Sequence, residues 1–201
     1  MTMALPKIAA RLTAAEYLQI ERAAPYKSEF HDGEMFAMAG ASPMHNRIAA
    51  NLIREFGNQL EGKPCEAFTS DLRVRVEAAG LYTYPDLSVG CPPEFGDGDN
   101  LLNPSVLVEI LSDSTEAFDR GKKWEMYRQI PSLQEFLLVS QHKPHIEHFV
   151  RQAGGQWLLS DVIGMSATLT VVSIGVTLAL SKIYARVTFP PVAVPDPPVQ
   201  G

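Results

Sequence analysis

The alternation of apolar and polar positions divides the chain into short elements. Thr13 and Glu16 have capping-box spacing and open a helix, Ala14 to Ala24, which Pro25 ends. Tyr26 to His31 and Glu34 to Ala39 are strand-like runs joined by Asp32-Gly33, a dipeptide that takes positive φ readily in a tight hairpin turn. Ser42 as N-cap and Pro43 at the first helical position start a longer helix to about Leu60. Along it Ile48, Leu52, Phe56 and Leu60 recur four apart on one face.

Beyond Gly62 and Pro64 the period changes to that of strands: Ala67 to Glu77, Tyr82 to Gly90 and Ser105 to Ser112, the first two joined around Ala79-Gly80. Thr115 to Ile130 reads as a helix closed by Pro131. Strands follow at Glu135 to Ser140, His145 to Arg151 and Trp157 to Val162, then two short strands and a last helix from about Ser181. A mixed sheet with a helix crossing between two of its strands is α/β or α+β in class. The 201 residues suit one domain, predicted over 1–189. From Pro190 onward the tail has five prolines in twelve residues and is predicted to be extended or disordered, outside the fold.

Val162 to Ser181 carries no charge and approaches the about 20 residues that a membrane-spanning helix needs. Ser166, Thr168, Thr170, Ser173 and Thr177 interrupt it, and Leu169/Val171 and Val176/Leu178/Leu180 alternate at strand period, so strands are predicted instead. The apolar share of 46% and charged share of 20% are those of a globular protein with a real core. A net charge of −6 repels a polyanion, which counts against a high-affinity nucleic-acid binder. It counts less against an enzyme whose acids hold divalent cations, because the metal reverses the local sign. Cys65 and Cys91 form no CxxC pair, and Met1 to Ala10 lacks a charged-then-apolar leader, so a reducing cytoplasm and no disulfide are expected.

The candidate chemistry lies in two acids within apolar strands. In Ser105-Val106-Leu107-Val108-Glu109-Ile110-Leu111 both faces are apolar, and Glu109 shares its face with Leu107 and Leu111. Asp86 raises the same problem in Tyr82-Thr83-Tyr84-Pro85-Asp86-Leu87. A buried carboxylate is costly unless it is paired or bound to metal. Two of them on neighbouring strands make the hard oxygen site that Mg²⁺ or Mn²⁺ accepts. In the following helix, at about 100° per residue, Asp119, Lys123, Met126 and Ile130 share a face, with Tyr127 at its edge. Lys122 lies near the opposite edge, so geometry does not choose between the two lysines. His142, His145 and His148 do not make a zinc site, because Pro144 breaks any helix and positions 145 and 148 of a strand point to opposite faces. Gly154-Gly155 reads as a hairpin turn, and no phosphate loop or dinucleotide fingerprint is present.

The Pro-Asp strand, Val108-Glu109-Ile110-Leu111-Ser112, Asp119-Arg120-Gly121-Lys122-Lys123-Trp124-Glu125-Met126-Tyr127 and Ile130-Pro131-Ser132-Leu133-Gln134-Glu135-Phe136 together resemble the putative restriction endonuclease family of the PD-(D/E)XK nuclease superfamily, abundant in cyanobacteria. Tyr26 to Glu34 and Ser42-Pro43-Met44-His45 resemble its opening segments, and the likeness runs from about Thr13 to Val187. The resemblance implies a restriction-endonuclease-like mixed β-sheet flanked by helices and an Mg²⁺- or Mn²⁺-dependent endonuclease acting on DNA. Asp86, Glu109 and Lys123 would be the catalytic set, and the Ile110 carbonyl would join Asp86 and Glu109 on the metal. The superfamily pattern puts a lysine two residues after the second acid, where Leu111 stands. The family's lysine comes from the next helix, which is the ground for Lys123 over Lys122. Glu29, Asp71, His45 and Tyr127 are secondary candidates. A homodimer is the expected assembly. The competing reading is a nuclease-fold binding module with weak or no activity that acts with a partner, which the net charge favours and the retained acid, acid and lysine disfavour.

Overall fold

The computed structural model describes residues 11–38 and 40–189, so the Pro-rich tail expected from residue 190 lies outside the described residues. Helix α1 (Ala14–Ala23) opens with the expected capping box, Thr13 and Glu16 each satisfying the other's backbone N–H. Strands β1 (Ser28–His31) and β2 (Glu34–Ala37) turn on Asp32 and Gly33, both at positive φ (50° and 85°). Ser42 caps α2 (Pro43–Leu60) at the His45 N–H, and the helix buries Ile48, Leu52, Phe56 and Leu60.

Two expected strands are each divided. Ala67 to Glu77 becomes β3 (Glu66–Thr69) and β4 (Arg73–Val76), and Tyr82 to Gly90 becomes β5 (Leu81–Thr83) and β6 (Leu87–Gly90). At both breaks the chain changes sheets: β3 pairs with β6 and β4 with β5. Pro85 accounts for the second break, since it has no N–H to continue a ladder. At the first, the Leu72 N–H turns back onto the Thr69 carbonyl at 3.1 Å. The β4–β5 connection is the expected hairpin, with Gly80 at φ 60°.

Strands β7 (Phe95–Gly96) and β8 (Asn100–Leu101) complete an N-terminal sheet of order β2-β1-β5-β4-β8-β7. Strand β9 (Pro104–Leu111) lies in the central sheet between β6 and the parallel β10 (Glu135–Ser140). Their crossover is not one uninterrupted α-helix as expected. It comprises α3 (Glu116–Phe118), a π-helical turn over Asp119–Lys123, and α4 (Trp124–Tyr127). Strands β11 (His145–Arg151) and β12 (Trp157–Ile163) extend the central sheet to the order β12-β11-β10-β9-β6-β3, turning through Gly154 and Gly155 at positive φ. A hairpin of β13 (Thr168–Val171) and β14 (Val176–Ala179) leads into α5 (Leu180–Ile183). The uncharged Val162 to Ser181 stretch therefore forms strands, and no helix among the described residues is long and apolar enough to cross a membrane.

Both faces of β9 are buried, as its continuous apolar run requires. Val106, Val108 and Ile110 pack with α2, the β13–β14 hairpin and α5. Leu107 and Leu111 pack with Tyr127, Phe136 and the N-terminal sheet residues Val74 and Leu101. Cys65 and Cys91 stand one step beyond the Glu66–Gly90 pair of β3 and β6 and are joined as a disulfide. This corrects the expectation of two unbridged cysteines: what opposes them is a non-local strand pairing, invisible in the local sequence.

Candidate active site

Strand register does the first part of the assembly. Leu87 pairs with Val108, so Asp86, immediately before β6, and Glu109 lie side by side on the sheet face that carries Leu107 and Leu111. Because β6 begins only after Pro85, the Asp86 side chain receives the Ile110 N–H, at 2.7 Å to Oδ2. His45, in the first turn of α2, places Nε2 3.1 Å from the same oxygen.

The crossover helix closes the site from above this face. Its π turn buries Asp119 and Lys123 and leaves Lys122 exposed. Such turns occur often where a helix must aim side chains at a functional point. Lys123 Nζ stands 3.1 Å from Glu109 Oε1, 3.2 Å from Glu29 Oε1 and 3.4 Å from Asp119 Oδ1. The Tyr127 hydroxyl donates to Glu109 Oε1 at 2.7 Å. The Thr83 hydroxyl donates to Glu29 Oε1 at 2.5 Å and lies 3.2 Å from the Tyr127 hydroxyl. Glu29 and Thr83 come from the N-terminal sheet, so both sheets and the crossover helix contribute.

Burial pushes the Glu109 carboxyl well above its ordinary range; Lys123 opposes this, and Asp119 and Asp86 add to it. Burial likewise raises Asp119, again against Lys123. For Lys123 burial disfavours the charge, but Glu109, Tyr127, Glu29 and Asp119 outweigh it and hold the ammonium well above its usual value. Three carboxylates, of Glu29, Glu109 and Asp119, thus share one lysine, and Asp86 adds a fourth acid beside Glu109. Asp86 Oδ1 and Glu109 Oε2 accept no hydrogen bond from the described residues. Excess negative charge with free carboxylate oxygens on adjacent strands is a donor set that suits a hard divalent cation.

The structure therefore gathers Asp86, Glu109, Lys123, Glu29, His45 and Tyr127 in one place. Asp71 is not among them: its side chain is 84% exposed and paired with Lys27 at 2.9 Å. Thr83 was missed by sequence reasoning. Its only signal was a hydroxyl in an otherwise apolar and aromatic run, and a strand assumed to continue to Gly90 gave no reason to aim it at Glu29.

The three histidines keep separate partners, His142 with Asp113, His145 with Asp161 and His148 with Glu135. One further group, however, has metal-ligating chemistry: single ligand atoms of His145, Glu147 and Asp161 lie within 4.8 Å of one another. Glu147 opposes Asp161 across β11 and β12, on the face that also carries His145. His145 and His148 do point to opposite faces of β11, and the acid that shares the face of His145 is Glu147, two residues on. In this group the carboxylates already have partners, because Arg120 engages Glu147 and His145 lies 2.6 Å from Asp161.

A model of the family described as Uma2, putative restriction endonuclease, matches residues 14–181. Two uncharacterized proteins of Synechocystis sp. are similar to the chain. One is 41% identical over 172 residues, covering 84% of this chain and 96% of the relative. The other is 38% identical over 180 residues, covering 89% and 94%. A crystal structure of a putative nuclease belonging to DUF820 from Anabaena variabilis superposes with a TM-score of 0.70, covering 86% of this chain and 97% of that one. At 17% identity that likeness shows a shared fold.

Proposed function

This chain belongs to the Uma2 family of putative restriction endonucleases, and from that premise we propose that it is a metal-dependent endonuclease hydrolysing DNA phosphodiester bonds at Asp86, Glu109 and Lys123. The observation that carries the reading is the placement of two carboxylates on adjacent strands, with a buried ammonium 3.1 Å from the second. A merely structural ion pair needs one acid for one base, whereas this pocket gathers three acids around Lys123 and a fourth, Asp86, beside Glu109.

Asp86, Glu109 and the Ile110 carbonyl would hold one or two Mg²⁺ or Mn²⁺ ions, which when bound polarise a phosphodiester and lower the pKa of a water. His45 and the Ile110 N–H fix Asp86 through Oδ2 and leave Oδ1 for ligation. Tyr127 and Lys123 fix Glu109 through Oε1 and leave Oε2. Lys123 sets a positive charge and hydrogen-bond donors where negative charge builds on the phosphoryl group or where the attacking water must be oriented. A chain of net charge −6 has no general pull on DNA, so substrate affinity would come from the site itself. A homodimer with twofold symmetry would bring one site to each strand of a duplex.

The net charge also supports a second reading, a binding module on the nuclease scaffold. Supercoiled plasmid incubated with Mg²⁺ or Mn²⁺ separates the two, using wild type and Asp86→Ala, Glu109→Ala and Lys123→Ala at matched purity and folded fraction. Metal-dependent nicking that all three variants lose supports the nuclease. No cleavage by wild type, or equal cleavage by the variants, leaves the binding module.

A further inference from the structure

Thr83 is fully buried at the end of β5, and the cleavage chemistry above gives its hydroxyl no part. Valine has the same shape and no polar atom to desolvate, so a hydroxyl kept in such a place is costly unless it is bonded. Among the described residues, the polar contacts of Thr83 Oγ1 all lie in the Lys123 pocket: 2.5 Å to Glu29 Oε1 and 3.2 Å to the Tyr127 hydroxyl. These contacts close a ring that runs from Lys123 to Glu29, Thr83, Tyr127, Glu109 and back to Lys123. Each hydroxyl has one proton, and the short distances give them to Glu29 and Glu109. The Thr83–Tyr127 contact is thus left without a donor and is a packing contact only, and Thr83 acts through Glu29.

We propose that Thr83 is a positioning residue: by donating to Glu29 Oε1 it holds that carboxylate beside Lys123, and so fixes the ammonium that pairs with Glu109 Oε1. The two carboxylates that flank Lys123 come from different sheets, Glu29 from the N-terminal sheet and Glu109 from the central one. Without Thr83, the Tyr84 N–H at 3.4 Å is the one donor besides Lys123 that, among the described residues, still holds Glu29 Oε1, so the carboxylate is free to swing away from the ammonium. The effect on rate rests on the nuclease reading, while the effect on Lys123 does not.

The test uses Thr83→Val, which keeps the shape, and Thr83→Ser, which keeps the hydroxyl. The first readout needs no activity: folded protein is acetylated at the lysines and the rate at each is followed by peptide mass mapping. A hydrogen bond to a charged group is worth enough that Lys123 should label about tenfold faster in Thr83→Val and near the wild-type rate in Thr83→Ser. Lys63, which donates to the Ile174 and Gly175 carbonyls far along the chain, serves as the reference for general loosening and should not change. If Thr83→Val does not fold, Tyr127→Phe opens the same ring from the other side and should expose Lys123 alike. The second readout is cleavage, where Thr83→Val should lower kcat about tenfold with KM unchanged and Thr83→Ser should restore it. Wild-type labelling of Lys123 in Thr83→Val, faster labelling of Lys63 in step with Lys123, or no rescue by serine overturns the proposal. If wild type cuts no DNA and the labelling pattern still holds, the nuclease reading fails and the ring stands.

Discussion

Replacing Lys123 with methionine, which has similar reach and no charge, should be unusually costly to the fold. The lysine is 6% exposed and lies within 3.1, 3.2 and 3.4 Å of the Glu109, Glu29 and Asp119 carboxylates. Removing it leaves those carboxylates facing one another where water hardly reaches, and breaking a buried pair in this way costs about 3–5 kcal/mol. For a chain of this size the melting temperature should fall by roughly 6–20 °C. Adding Glu109→Gln to the methionine variant removes the carboxylate most raised by burial while keeping its shape. The pair should then be strongly non-additive, the double variant recovering about 1–3 kcal/mol relative to Lys123→Met alone. Urea denaturation followed by circular dichroism, with EDTA present and m values compared across the four proteins, measures the cycle. A loss below about 1 kcal/mol for Lys123→Met, the value of an exposed pair, would refute the reasoning, as would additivity of the two changes.

Divalent metal at about ten times its Kd should raise stability by about 1.4 kcal/mol and the melting temperature by roughly 3–6 °C, an effect lost in Asp86→Asn and Glu109→Gln. If those variants keep the full shift and Asp161→Asn abolishes it, the cation binds at His145, Glu147 and Asp161 instead. Glu135, 1% exposed, gives a separate prediction for acid stability. Burial would raise its carboxyl, but His148 at 2.5 Å and the Ser173 N–H hold it below its ordinary value of 4.5. A carboxyl lowered in the folded state contributes stability that is present above the unfolded value and lost as pH falls through the folded one. Glu135→Gln should therefore flatten the stability curve just below the ordinary glutamate range, and an unchanged slope there would count against the account.

Features encoded by neighbours in sequence were legible. The Thr13–Glu16 box, the Asp32-Gly33 turn, the Ser42-Pro43 start of α2 and the doubly apolar β9 each state a local preference that the fold keeps. The divisions at Ser70–Leu72 and Tyr84–Asp86 carry local marks, a polar Thr69-Ser70-Asp71 run and Pro85, but neither mark tells that the chain passes from one sheet to the other. Asp86 and Glu109 could be picked out as acids in apolar strands, and helical spacing brought Asp119 and Lys123 to one face. The same spacing left Lys122 open, and the π turn that buries Lys123 has no local signature in Asp119 to Lys123. Thr83 and the joined Cys65 and Cys91 depend on pairings between distant segments, which one sequence does not display.

The two sheet-changing turns also limit how such a chain can diverge. The Gly154–Gly155 tip of the β11–β12 hairpin touches nothing that a longer loop would disturb, since neither glycine has a neighbour within 4 Å of an added Cβ. An insertion between Thr83 and Leu87 has no such freedom. It would shift Asp86 against Glu109 and move the N-terminal sheet against the central one, parting Glu29 from Lys123 in the same step. Length variation should therefore accumulate at the far hairpin, while the few residues joining the sheets keep a fixed count.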